Sequence, residues 1–252
     1  MKRLRTGIIL AAGFGSRLCP ADSNSTVKPL VFVDSIALLL RTIQSLEIAY
    51  CHKVIIVLGW QADKIKDYIR TNYLGPLEIE FTINPDYHLK NGISVLCAKD
   101  LVDGEFILTM ADHILSDKIM VQTVSHRPPD GGASLCVDYK IETIFDLEDA
   151  TKVFSSGSYI KKIGKSLTEY NCIDTGVFVG TPGLFEAIDK VYKKNGDASL
   201  SEGIQLLADK GLMIALDIKD AYWQDVDNYE MLIHAENLLR DDEKGLKIFD
   251  RT

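Results

Sequence analysis

The chain has 252 residues, is 46% hydrophobic and 25% charged, and carries a formal net charge of −8. That is enough apolar material for one large core, so the chain reads as a globular domain and not as a disordered or fibrous one. The acidic balance excludes nonspecific binding to nucleic acid or to a membrane surface, since both ask for clustered positive charge. No apolar run reaches bilayer-spanning length, and residues 7–12 are too short for a signal-peptide core. A cytoplasmic location without membrane insertion is therefore expected. Cys19, Cys51, Cys97, Cys136 and Cys172 are scattered with no Cys-x-x-Cys pair. They read as small buried hydrophobes in a reducing compartment. His52, His88, His113, His126 and His234 do not cluster, which argues against a histidine metal site.

Taken in order, residues 7–10 (GIIL) form a first buried strand, followed by the small-residue run Ala11, Ala12, Gly13, Phe14, Gly15. Residues 36–50 are apolar, with Arg41, Gln44 and Glu47 at helical spacing, and predict an amphipathic helix. Residues 53–58 (KVIIVL) predict a second buried strand, 61–72 a helix, and 77–83 a more exposed, alternating strand. A short helix over 92–101 and a strand over 105–110 (EFILTM) follow. Residues 116–124 predict a helix capped by Ser116, then a loop over 126–132 and a strand over 133–139. Two short strands (151–154, 158–163) lead to a buried strand over 173–179. Helices over 182–194 and 199–210, a strand over 212–218 and a helix over 228–240 complete the pattern, and the charged tail 241–252 is expected to fray.

Strand–helix alternation through the first half predicts an α/β fold with a mostly parallel, Rossmann-like sheet covered on both faces. One domain over 1–240 is expected, with a nucleotide-binding part to about residue 130 and a small β-rich acceptor part over about 131–227. Ligands in such sheets sit beyond the carboxyl ends of the strands. The glycine loop and Asp112, just past EFILTM, are both at such ends.

Small residues in that loop let backbone amides approach an anion, and Arg17 and Lys28 add positive charge. The arrangement suits phosphate, although a plain turn with solvated cations reads equally well from glycines and charges alone. It is not a dinucleotide fingerprint, because Leu18 replaces the third glycine, and Gly59 and Trp60 stand where an oxidoreductase needs a ribose-binding acid. Nor is it a P-loop. Asp112 on its own reads as a turn former. Asp225 is out of phase with any cap, whereas Asp227 could cap the last helix. Two carboxylates from distant strand ends are what Mg²⁺ asks of a protein. Asn91 would serve either as a helix cap or, with Gly92 and Ser94, as a border of a bound nucleotide.

LAAGFGSRL followed by VKPL closely resembles the LAAGxGxRL…PKPL signature of sugar- and alcohol-phosphate nucleotidyltransferases. Val27 departs from the usual proline, but the lysine is kept. DATKV, IGKSLTEYNCIDTG, SLSEG and YWQDVD narrow the resemblance to CTP:inositol-1-phosphate cytidylyltransferases, over residues 7 to about 239. The resemblance implies a nucleotide-diphospho-sugar transferase-like fold and an Mg²⁺-dependent transfer of CMP from CTP to a small phosphorylated alcohol. Phosphocholine or 2-aminoethylphosphonate are alternative acceptors, with Asp138, Tyr139, Glu142 and Tyr170 available as an amine cage. A hexose-1-phosphate acceptor and a non-catalytic nucleotide-sensing subunit are the further alternatives.

By the same resemblance, Arg17, Lys28 and Asp112 are catalytic. Leu10, Ala11, Ala12, Gly13, Gly15, Arg17, Lys28, Asn91, Gly92, Ser94 and Ala111 hold the nucleotide. Lys165, Asp174, Thr175 and Gly176 hold the acceptor, and Asp112, Asp225 and Asp227 the metal. A stand-alone soluble enzyme, a homodimer, and a product handed to a membrane phosphatidyltransferase-like enzyme are the remaining expectations.

Overall fold

The computed structural model describes residues 5–18 and 27–249. Cys19 and residues 250–252 of the expected tail lie outside the described residues. The elements run β1 (Arg5–Ala11), β2 (Phe32–Val33), β3 (Ile36–Ala37), α1 (Leu38–Ile48), β4 (Cys51–Leu58), α2 (Ala62–Asn72), β5 (Glu78–Ile83), α3 (Asn91–Leu96), β6 (Phe106–Met110), β7 (His113–Leu115) and α4 (Asp117–Ser125). Then come β8 (Ala133–Asp138), β9 (Lys152–Ser156), β10 (Tyr159–Gly164), β11 (Cys172–Gly180), α5 (Pro182–Asn195), α6 (Leu200–Ala208), β12 (Met213–Asp217), β13 (Trp223–Asp225) and α7 (Tyr229–Phe249).

One nine-stranded sheet carries the fold, in the order β5-β4-β1-β6-β11-β8-β12-β10-β9. The first four strands in that order are parallel: Ile8 of β1 stands between Ile55 of β4 and Leu108 of β6. Ile8 and Ile9 point to opposite faces and both are fully buried, which is why this strand reads as a continuous apolar run. The second half departs from the parallel pattern. β11 runs antiparallel to β6 and β8, and β9 and β10 form a hairpin whose first strand also pairs with the start of β11. Helices α1, α2 and α4 cover one face, with Leu39, Ile43, Ile69 and Ile119 in its core. Helices α3, α5 and α6 cover the other, with Ile93, Phe185, Ile188 and Ile204.

Several boundaries differ from those the sequence predicts. The helix expected from residue 36 begins at Leu38, because Ile36–Ala37 pairs back on Phe32–Val33 across Asp34 and Ser35, both at positive φ (46° and 66°). The helix expected over 92–101 divides into α3 and a 3₁₀ turn at Lys99–Leu101. Ser116 precedes α4 but makes no side-chain cap. The last helix does not end near residue 240; α7 continues to Phe249. Ser199 and Glu202 form a reciprocal capping box, and Gly196 closes α5 with φ 72°. Cys51, Cys136 and Cys172 are buried and, with half-buried Cys97, free. No helix among the described residues is long and apolar enough to cross a membrane.

Candidate active site

The glycine loop leaves the carboxyl end of β1 and is tied down by its neighbours. Trp60 N–H donates to the Ala12 carbonyl (3.0 Å), and Ala111 N–H to that of Leu10 (3.1 Å). Gly15 has φ +62°, and a Cβ there would run into the Lys28 side chain, so only glycine lets the loop lie over the lysine. Around Gly13 there is open space. Phe14 is half exposed and rests on Trp60 and Tyr87, ring centroids 5.3 and 5.2 Å away.

Lys28 opens a 3₁₀ turn before Pro29, with its side chain only 8% exposed. Its ammonium donates to Asp112 Oδ2 (2.5 Å) and to Asp227 Oδ1. Arg17 reaches the other oxygen of Asp227 (2.5 Å) and Asp149 Oδ2 (2.8 Å). Burial works against the Lys28 charge, yet the Asp112 and Asp227 carboxylates outweigh it and raise its pKa. Gly13, Gly15, Arg17, Lys28, Asp112 and Asp227 line a hollow of about 240 Å³. Leu10, Ala11 and Ala111 form its apolar back wall.

A two-stranded ribbon, β7 with β13, brings the late acidic run to the early one. Asp225 is the register partner of His113, and Val226 N–H donates to the Asp112 carbonyl (2.9 Å). The Asp112 carboxylate takes Lys28 on one oxygen and His113 Nδ1 (2.7 Å) on the other. Burial opposes its charge, but Lys28 and then His113 hold the carboxyl far below the usual range. Asp225 shows the reverse. Burial, with Asp227 and Asp112 adding repulsion, raises its pKa against the pull of His113. Among the described residues its one side-chain donor is the adjacent Gln224 amide, 3.0 Å from Oδ1.

An under-compensated carboxylate beside a second one fits a hard divalent cation, which takes one or two protein carboxylates and keeps water and phosphate for the rest. Asp227, the less certain third ligand of the sequence reading, has both oxygens paired with cations here, Lys28 and Arg17. It is not the helix cap: Asn228 Oδ1 accepts from Met231 N–H (2.9 Å). Among the described residues no three His, Cys, Asp or Glu side chains are grouped to hold a metal by themselves.

From this end a larger cleft of about 700 Å³ opens toward the second half of the sheet. Lys165 borders it and donates to Asp149 Oδ1 (2.6 Å). Against the pull of burial, the Lys165 and Arg17 bonds hold the Asp149 carboxyl below its usual range. In β11 the register against β8 breaks between Asp174 and Phe178, with Gly176 at φ +76°. The bulge leaves Asp174 and Gly176 on the cleft wall. Burial pushes the Asp174 carboxyl up to about 6, although it accepts from Gly176 N–H (2.7 Å).

Three expected contacts are not met as expected. Thr175 is fully buried and its hydroxyl donates to the Cys136 carbonyl (2.8 Å), so its side chain faces the core and not the acceptor wall. Gly92 packs on the Ala198–Ser199 backbone with no room for a Cβ; it is a close-packing glycine and does not line the cleft. Asn91 is not the N-cap of α3, a position held by Lys90. Instead Asn91 Oδ1 accepts from Leu200 N–H (2.9 Å) at the cleft's edge, and Ser94, also lining the cleft, accepts from the buried Asn84 amide (2.9 Å). Of the four residues considered for an amine cage only Asp138 borders the cleft, and its charge is held by Lys140 (2.7 Å) and the Trp223 indole N–H (3.1 Å).

Sequence reasoning missed His113, Asp149, Trp223 and His234. His113 adjoins Asp112 in MADH and stacks on Trp223 (5.9 Å, 17°). Its lack of histidine neighbours drew attention away from the carboxylate beside it. Asp149 opens the DATKV run, and only the fold brings it to Arg17.

The sequence profile of the MobA-like NTP transferase domain matches residues 7–202. The chain is 30% identical, over 94% of its length, to the Aquifex aeolicus protein named bifunctional IPC transferase and DIPP synthase, and covers 52% of it. It is 32% identical, over 92% of its length, to the Thermococcus kodakarensis protein of the same name, and covers 50% of it. The chain thus spans about half the length of these curated relatives. The inositol-1-phosphate CTP transferase from T. maritima superposes with a TM-score of 0.79 at 24% identity, covering 92% of this chain and 96% of that one. A UDP-glucose pyrophosphorylase complexed with UDP-glucose gives the same TM-score at 17% identity, covering 95% and 100%. At such identities the likeness establishes the shared fold, which is the one the sequence signature implies.

Proposed function

Because the chain belongs to the MobA-like NTP transferase family, a family of nucleotidyltransferases, we propose that it transfers CMP from CTP to a small phosphorylated alcohol, inositol-1-phosphate, giving CDP-inositol and pyrophosphate. The observation that carries the reading is that the hollow holding Arg17 and Lys28 and the cleft bordered by Asp225 adjoin, sharing Gly13, Asp112 and Asp227 at the carboxyl ends of β1 and β6 and the β7–β13 ribbon. The names of the curated relatives and of the T. maritima structure support the base and the acceptor. Of the two activities named for the relatives, the transferase is the one that an NTP transferase domain matches.

In this reaction an acceptor phosphate oxygen attacks the α-phosphorus of CTP in line and pyrophosphate leaves. Little covalent work falls to the protein, which positions two anions and balances the charge that develops. Lys28, buried and charged, meets the α-phosphate and trades Asp112 and Asp227 for it. Arg17 and the loop amides from Ala11 to Gly15 take the β- and γ-phosphates. Lys165 takes the acceptor phosphate, and Asp174, in carboxylate or protonated form, reads acceptor hydroxyls. Asp112 and Asp225 would hold Mg²⁺, which when bound neutralises phosphate charge. His113 fixes the Asp112 carboxylate from behind.

The amine-acceptor alternative loses support because Asp138, the one cage residue at the cleft, is already neutralised. The test is pyrophosphate release with four nucleoside triphosphates against inositol-1-phosphate, phosphocholine, 2-aminoethylphosphonate and glucose-1-phosphate. CTP with inositol-1-phosphate is expected to lead. Turnover only with a hexose phosphate and UTP or dTTP would overturn the assignment.

A further inference from the structure

Residues 139–151, between β8 and β9, bring Phe145, Asp146 and Asp149 to the cleft. The segment is tied at both ends of that run. Phe145 stacks on His234 of α7 at 4.5 Å, and Lys152 Nζ donates to the Glu148 carbonyl (2.7 Å). Between these ties Asp149, its N–H given to Asp146 Oδ1 (3.2 Å), extends one carboxylate to two cations from distant parts of the chain. Arg17 follows the glycine loop and Lys165 follows β10; their side chains are 55% and 61% exposed.

From this geometry we infer that Asp149 is a shared counter-anion, which the phosphates of the two substrates displace and which thereby couples their binding. The inference rests on the proposed function, in which Arg17 takes nucleotide phosphates and Lys165 the acceptor phosphate. A phosphate arriving at either cation competes with the carboxylate and repels it. Both bonds belong to one side chain on one tied segment, so its withdrawal frees Lys165 and leaves Arg17 paired with Asp227 alone. The first anion to bind bears the cost of displacing Asp149, and the second meets a cation already relieved of that bond. The outcome is positive coupling that works against the mutual repulsion of two polyanions in one cleft, and by linkage it is reciprocal.

The experiment is calorimetric titration of the full chain with inorganic pyrophosphate as the probe of Arg17, without and with saturating inorganic phosphate as the probe of Lys165. In the wild type, phosphate is expected to tighten pyrophosphate binding. Asp149→Asn keeps the shape and removes the charge. Two exposed pairs at about 0.2–1 kcal/mol each correspond to pyrophosphate alone binding roughly two- to thirtyfold more tightly in the variant. Phosphate should then leave that affinity unchanged or weaken it. Glu148→Gln makes the same change in net charge next door, away from the cleft lining, and should behave as wild type.

Pyrophosphate binding no tighter in Asp149→Asn than in wild type overturns the inference, as does coupling that survives the substitution. A variant that both melts lower and binds more weakly makes Asp149 a structural tie, and the inference falls in that case too. If Arg17→Ala leaves wild-type pyrophosphate affinity untouched, the functional reading falls, and this inference with it.

Discussion

Replacing Lys28 by methionine keeps an apolar stem of similar length and removes one charge. The lysine side chain is 8% exposed, and its partners Asp112 and Asp227 are 27% and 19% exposed. Removing one partner of a buried pair costs about 3–5 kcal/mol, because a charge is left uncompensated. Here each carboxylate keeps a second donor, His113 on Asp112 and Arg17 on Asp227, and some water. That brings the expected loss of stability to about 2–3 kcal/mol at pH 7. Asp112 is depressed from its ordinary 3.8, so its pairing stabilises the native state above that pH and the contribution is lost as pH falls through the depressed value. The deficit of Lys28→Met is therefore full near neutrality and shrinks below about pH 4, where orphaned carboxylates take up protons. Urea unfolding followed by far-ultraviolet circular dichroism at pH 7 and pH 3.5 measures both points. Adding Asp112→Asn to Lys28→Met should recover part of the loss. A deficit at pH 7 within the roughly 0.5 kcal/mol scatter of surface substitutions, or one equally large at pH 3.5, would refute the reasoning. In the same variant, pyrophosphate release is expected to fall by orders of magnitude while the circular dichroism of the fold is kept.

Three further outcomes follow from single residues. Asp174, raised by burial from 3.8 to about 6, favours the native state while protonated, and that preference is lost as pH rises through about 6. Two pKa units are about 3 kcal/mol, and contact with cleft water lowers this, so Asp174→Asn should stabilise the protein by about 1–2 kcal/mol at pH 8. At pH 4 the gain should vanish; thermal melts showing the same gain at both pH values would remove burial as its cause. Gly13→Ala places its methyl in open space, so stability should change by less than about 0.5 kcal/mol, while CTP affinity measured by calorimetry falls. Gly92→Ala drives a methyl into the Ala198 carbonyl and should cost about 1–3 kcal/mol without entering the cleft. Melting temperatures that rank the two alanines the other way would contradict both assignments.

The buried strands and the loop motif were legible in the sequence because they are local. A run such as GIIL or KVIIVL declares its burial on both faces, and the small-residue run after GIIL declares a loop at a strand's end. The apolar run before Asp112 put it at a strand end, but only the family resemblance singled out Asp112 and Asp225 among the acidic residues. The second half was harder to read, since strand direction is set by pairing partners and not by periodicity. Nothing in the run over 172–180 says that it lies antiparallel between β6 and β8.

What tertiary structure alone decided is which charge answers which. Asp227 became a bridge between Lys28 and Arg17, Thr175 turned inward on a bulge, and Asp149 crossed 132 positions of sequence to reach Arg17. Electrostatic partnership depends on distance through space and on burial. Neither quantity is written in the spacing of residues along the chain, and both exist only once the sheet has closed around the cleft.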